Sequence, residues 1–213
     1  MLAIGIGFLA YECTRKKKLV LYILCVLLAM TIHTSAFMLL FMYPLYYAKI
    51  TKNWMWAVVP SIAVVFVFNV QIFSFLSLFI ERYTEYDAKI TQTGAYMTIA
   101  LFAIFTAFSF LIPDEKSLDR ETVGLRNFLL FSLVLQMFAP LHSLAMRMNY
   151  YYIIFVPLLI PKIIEHRSDR WNQIARVGRH VMVVFFLLYF FVSANAGSGL
   201  KVFPYHFFWE NVR

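Results

Sequence analysis

The chain has 213 residues and a net charge of +8; 62% of its residues are hydrophobic and only 14% are charged. Soluble domains run at about 45–50% apolar and about 25% charged, and a folded protein of this size exposes too much surface to hide such an excess. The 19 Lys and Arg lie between apolar runs and not along one stripe, which excludes a nucleic-acid groove and fits positive loops beside a bilayer.

In chain order the apolar blocks are Met1–Cys13, Leu19–Ala48, Trp54–Ile80, Tyr96–Pro113, Phe128–Met146, Met148–Pro161 and His180–Ala194. A helix rising about 1.5 Å per residue needs about 20 residues to cross about 30 Å of hydrocarbon. Met1–Cys13 is too short, and its basic cluster follows the apolar stretch, the reverse of a secretory signal. It reads as the end of a helix begun elsewhere, or as an amphipathic interfacial segment. Leu19–Ala48 is long for one crossing and is interrupted by His33, Thr34 and Ser35. Trp54–Ile80 suits a single span, and Tyr96–Pro113 and Phe128–Met146 come close. Met148–Pro161 is short again, so a second break is expected at Arg147. Broken helices in a membrane require protein or a wet cavity to satisfy the freed backbone groups, so both breaks point to a polar interior. Lys162–Arg179 reads as a cytoplasmic basic loop or interfacial helix. Cys13 and Cys25 lie in or beside apolar segments and suggest neither a disulfide framework nor a metal site.

Charge counting separates two topologies. If Leu19–Ala48 and Phe128–Pro161 each cross once, 11 of the 19 basic residues fall on the cytoplasmic side. If the chain instead folds back at His33 and crosses on both sides of Arg147, the count rises to 14 of 19. The positive-inside rule favours the second arrangement. The fold class expected is therefore all-α: one polytopic transmembrane helical bundle over residues 1–213, with broken or short helices around an outward-facing polar cavity. His33, the loop Glu81–Ala95, Arg147 and the tail Asn195–Arg213 then share the outer face.

His33 is the sharpest candidate for chemistry, because an ionisable group inside an apolar block is costly. Its imidazole can accept a proton near neutral pH, against the plainer reading of a neutral ring bonded to another helix. Arg147 keeps its charge, and its planar fork fits phosphate or carboxylate; the plainer reading is a snorkelling interfacial arginine. Of Tyr150, Tyr151 and Tyr152, at least two are expected in an aromatic belt, while a tyrosine could also stack on a sugar ring. His142 could line the same cavity, Asn69 and Gln71 suit interhelical hydrogen bonds, and His166 and His180 belong to the basic loop and its edge.

A basic turn, a short apolar helix and then Ile32-His33-Thr34-Ser35-Ala36 resembles the "H-x-S-A" region of the EpsG-like family of Wzy-type polysaccharide polymerases. Arg147 followed by Asn149, Tyr150 and Tyr151, with an apolar run closing in Pro161, resembles that family's later "R-x-x-Y-(F/Y)…P" segment. Phe203-Pro204-Tyr205 resembles its "Y-P-Y" tail, with Phe in place of the first Tyr. The resemblance covers nearly the whole chain. Family members typically carry further helices upstream and an "R-Q" pair just before the stretch matching Met1–Cys13, so this chain corresponds to the C-terminal portion of such a protein.

The resemblance implies glycosyl transfer on the outer face of the bacterial cytoplasmic membrane, in capsule or exopolysaccharide assembly. Donor and acceptor would be undecaprenyl-diphosphate-linked oligosaccharides, with no cofactor and no metal. It assigns Arg147 to the diphosphate and His33 to the acceptor hydroxyl as base, with Ser35, Asn149, Tyr150, Tyr151 and Tyr205 around the substrate. The lipid bilayer and other polysaccharide-assembly membrane proteins are the expected partners. The competing readings are a lipid-linked oligosaccharide flippase or transporter, and a non-catalytic truncated membrane protein.

Overall fold

In the computed structural model the described residues are 2–77, 92–141, 143–166 and 172–195, and they contain ten α-helices and no β-strand. The chain divides into two compact units, Met1–His166 and Arg167–Arg213. The first unit opens with α1 (Leu2–Arg15), which packs along α2 (Leu19–Ile32). The turn between them holds Lys17 at φ 57°, in the left-handed region. α2 stops where His33 takes an extended backbone, φ −150° and ψ 120°. A 3₁₀ segment, Thr34–Phe41, follows and runs directly into α3 (Met42–Tyr47).

This path folds the block Leu19–Ala48 back on itself at His33. The Tyr47 hydroxyl donates to the carbonyl of Thr14 at 2.7 Å, so the end of α3 lies beside the end of α1. The lengths are compatible. α2 rises about 21 Å over its 14 residues. The return is no shorter, because a 3₁₀ turn rises about 2.0 Å per residue, which carries the 3₁₀ segment and α3 together about 25 Å.

After a short turn α4 (Met55–Val67) leaves at 113° to the return segment. The block Trp54–Ile80, expected as one span, is instead broken at Phe68, with α5 (Asn69–Ser77) beyond it. The Asn69 amide just past the break donates to the carbonyl of Met137 at 3.1 Å, the interhelical bond expected of it, whereas Gln71 is exposed. α6 (Gln92–Leu111) sets Ile99 and Phe102 against Leu133 and Met137 of the next hairpin, with Ile62, Val65 and Ile153 packed around them.

α7 (Arg120–Gln136) begins at Asp119, whose carboxylate accepts the Thr122 N–H at 2.8 Å. It ends in tight turns over residues 137–141, in which the Ala139 N–H reaches the Gln136 carbonyl at 3.1 Å. Pro140 has no N–H to continue the ladder. The second break therefore falls before Pro140, and Arg147 lies within α8 (Ser143–Ile153) and not at the break. α9 (Val156–Glu165) completes the first unit. In the second unit α10 (Asn172–Asn195) takes in residues 172–179, which the sequence assigned to the basic segment, as its opening turns. The His180 ring there bonds the carbonyl of Arg176 at 2.7 Å.

One end of the first unit gathers its charge. The Asn127 amide donates to the carbonyls of Leu45 and Ala48 at 2.8 and 2.9 Å, and Arg120 donates to that of Tyr47 at 3.3 Å. Arg126, wholly buried, donates to the Ile50 carbonyl and to Glu115, each at 2.7 Å, and lies 4.0 Å over the Phe110 ring. Glu121 meets the Tyr11 hydroxyl at 2.7 Å, Lys162 at 3.0 Å and Arg15 at 3.5 Å. The Asp114 N–H donates to the His166 carbonyl at 3.0 Å. Residues 14–15, 45–52, 114–127 and 162–166 thus share one end, the grouping that the second charge count requires. Among the described residues no single helix is long and apolar enough to cross a membrane; the bent pair Thr34–Tyr47 and Lys52–Val67 is so only when taken together.

Candidate functional site at the His33 turn

The end opposite the charged cluster is built around the extended residue His33. Its ring folds over the start of the 3₁₀ segment as a cap: the backbone N–H of Ser35 donates to Nδ1 at 3.3 Å, and Ser35 Oγ lies 2.9 Å from the same nitrogen. Ser35 is buried, and its Oγ lies 3.4 Å from the Tyr151 hydroxyl of α8, while His33 itself is exposed. A chain of three side chains, His33, Ser35 and Tyr151, therefore joins the turn to α8.

The same helix fixes the 3₁₀ segment lower down. The Tyr152 hydroxyl donates to the carbonyl of Met38 at 2.6 Å, and the Tyr22 hydroxyl of α2 donates to that of Leu39. These bonds explain how an irregular segment is accommodated among apolar helices: its weaker backbone pairing is supplemented by phenols from both neighbours. They also correct the expectation of an aromatic belt. Tyr151 and Tyr152 are buried with their hydroxyls engaged, and Tyr150 alone of the three is exposed.

Arg147 lies one helical turn before Tyr151 on α8, at the i, i+4 spacing that places two residues on the same helix face. It is exposed. Every described acidic residue of the first unit (Glu12, Asp114, Glu115, Asp119, Glu121 and Glu165) belongs to the charged end or to the chain entering it. Arg147 is the one charged residue of α8.

Asn149 points elsewhere. It is fully buried, accepting from Ser132 at 2.5 Å and donating to Gln136 at 2.8 Å, so both ends of its amide hold α8 against α7. Ser132 and Gln136 were not singled out from the sequence; their spacing of four in an apolar run is the signal that could have found them. Tyr205 and His142 lie outside the described residues, as do Arg167, Arg170 and Trp171 of the basic segment. His166 keeps to its own helix end, with Nδ1 2.8 Å from the carbonyl of Lys162.

The arrangement offers an imidazole, a buried hydroxyl relay and a permanent cation within two adjoining turns of chain. That set can bind an anionic group and hydrogen-bond a hydroxyl. Searches of curated proteins and of solved structures each returned no match. The model of the EpsG family matches residues 1–207, almost the whole of the sequence, and the chain belongs to the EpsG family.

Proposed function

We propose that this chain takes part in joining undecaprenyl-diphosphate-linked repeat units into an exopolysaccharide or capsule, as a polymerase-like glycosyltransferase of the bacterial cytoplasmic membrane. Membership of the family supports the reading, and so does the surface: Leu2, Leu9, Val20, Leu24, Leu28, Trp56, Val67 and Met97 are exposed apolar side chains on several helices. Apolar exposure on that scale suits lipid contact, with the positive loops at the charged end turned to the cytoplasm.

The observation that carries the reading is the hydrogen-bonded chain from His33 through Ser35 to Tyr151, on the helix that also bears Arg147. Transfer from a lipid diphosphate needs a fixed cation for the leaving group, and Arg147 has the charge and the fork for it. His33 lies at the reacting oxygens, and Tyr150, exposed one residue before the relay tyrosine, and Tyr205 of the tail serve the sugar. Asn149 holds α8, the helix whose Tyr151 reaches Ser35, against α7.

The test is polymer length in a deletion strain complemented with His33→Ala or Arg147→Ala. Loss of one general acid–base or electrostatic contact lowers such rates by about 10²–10⁴-fold, so both variants should leave single repeat units on the outer face. Full-length polymer from both would sink the assignment. Repeat units trapped on the cytoplasmic side would instead mark a flippase.

A further inference from the structure

We infer that His33 meets its ligand as a hydrogen-bond donor through Nε2–H, and that Ser35 is the positioning residue that fixes this tautomer. The inference deepens the polymerase reading and rests on it for the identity of the ligand. Neutral imidazole has one acceptor nitrogen and one donor nitrogen, and the bond made by one decides what the other presents. Here the backbone N–H of Ser35 points at Nδ1 from 3.3 Å, so Nδ1 carries the lone pair. A proton on Nδ1 would set two donors against each other. With Nδ1 as acceptor, Ser35 Oγ at 2.9 Å donates to it as well, and its own lone pair faces the Tyr151 hydroxyl at 3.4 Å. The donation therefore runs from Tyr151 to Ser35 to His33, and the ring proton is left on Nε2.

Access makes the same assignment. Ser35 and Tyr151 are buried, so the Nδ1 edge of the ring is turned toward protein, and a ligand approaching the exposed residue meets the other edge. The lone pair that would serve a base is engaged, and Nε2–H is what remains to offer. With Arg147 one helical turn from Tyr151 on α8, such a donor complements an anionic oxygen: the diphosphate oxygen on which charge develops as the glycosidic bond breaks. No proton need be transferred in this role. The groups near the ring agree, because α8 packs against the 3₁₀ segment and brings Tyr151 to Ser35, while Glu12 and Arg15 of α1 pair at the opposite end.

Two measurements on the full chain in lipid nanodiscs test this. In protein labelled with ¹⁵N-histidine, the signals lost in His33→Gln belong to His33; a pyridine-type Nδ1 and a pyrrole-type Nε2 are expected. The opposite pattern, or a ring protonated on both nitrogens, overturns the proposal. In polymerisation of lipid-linked repeat units, Gln places an amide N–H near the position of Nε2, whereas Asn reaches only that of Nδ1. His33→Gln should stay within about tenfold of the unsubstituted chain, while His33→Asn and His33→Ala should fall by about a hundredfold or more. Equal loss in all three overturns the donor role. If the unsubstituted chain makes no polymer, the polymerase reading fails, and the nitrogen signals still decide the tautomer.

Discussion

Gly124→Ala probes the contact between α3 and α7 that closes the fold-back on the charged end. A Cβ built on Gly124 would lie 2.3 Å from Cδ2, 2.6 Å from Cε2 and 2.9 Å from Cγ of Tyr46. Ordinary carbon contacts lie at about 3.5–4.0 Å, so the ring or the helix must move by about an ångström. The ring has little room, since Tyr46 is buried and contacts the rings of Tyr11, Tyr47 and Phe128. Moving α7 instead strains the Asn127 bonds to Leu45 and Ala48. Overpacking costs about 1–3 kcal/mol, and each weakened hydrogen bond adds about 1 kcal/mol. Against this, alanine is the better helix former by about 1 kcal/mol. The clash wins, for a net loss of about 2 kcal/mol or more and a Tm lower by at least about 4 °C in a chain of this size. Thermal unfolding in detergent reads it directly, and Tyr46→Leu in the same background should recover much of the loss. A Gly124→Ala protein as stable as the original, or no recovery on trimming Tyr46, would refute the packing described here.

Arg126 and Glu115 should respond unequally to neutralisation. Glu115→Gln leaves a guanidinium with no solvent contact and no counter-charge, a loss of about 3–5 kcal/mol for a buried charge. Arg126→Met leaves Glu115, whose side chain is 27% exposed and can rehydrate, together with an unpaired Ile50 carbonyl worth about 1 kcal/mol, so its Tm should fall less; the reverse order would count against the buried pair. Acid should also loosen this end. Partial burial alone would raise the carboxyl of Glu121, but the Tyr11 hydroxyl, Lys162 and Arg15 outweigh it and hold the group below its ordinary value. A depressed folded value means that the contribution is full above the unfolded carboxyl's titration near about 4.3 and is lost as pH falls through the lower folded value. Tm measured from neutral pH downward should therefore drop less steeply in Glu121→Gln than in the unsubstituted chain; parallel curves would exclude Glu121 as a contributor.

The fold-back at His33 was legible because a polar triplet cannot sit in the middle of an apolar span without a local reason, and charge counting favoured the same reversal. The second break was misplaced. Arg147 is a conspicuous charge, but charge does not end a helix, whereas Pro140 removes a backbone donor and does. The kink at Phe68 left no comparable mark, since Asn69 takes effect only through the carbonyl of Met137, 68 residues away in sequence. The tyrosines were misread for a related reason. A run of three reads as an interface from composition alone, and only the register of α8 against the 3₁₀ segment shows that two hydroxyls have partners inside. His33, Ser35 and Arg147 could be named from local pattern. Ser132, Gln136 and the inward role of Asn149 depend on which faces of α7 and α8 meet, a matter of packing between two helices of low amphipathic contrast.

The two ends of the first unit are linked by this irregular backbone. A continuous α-helix from Leu19 to Tyr47 would satisfy its own hydrogen bonds but carry His33 in mid-span, away from any polar partner. Reversing the chain at His33 frees backbone groups at the turn, and the ring of His33 itself takes up the Ser35 N–H. Farther along the return, Tyr152 and Tyr22 reach the carbonyls of Met38 and Leu39. At its far end Asn127, Arg120 and Arg126 take the carbonyls of Leu45, Tyr47, Ala48 and Ile50. The fold-back is thus held along its length by side chains from α2, α7 and α8, which places the His33 ring and the helix bearing Arg147 in one fixed relation. Loosening the charged end should therefore reach the His33 turn through the 3₁₀ segment, because the two are successive stretches of one clamped chain.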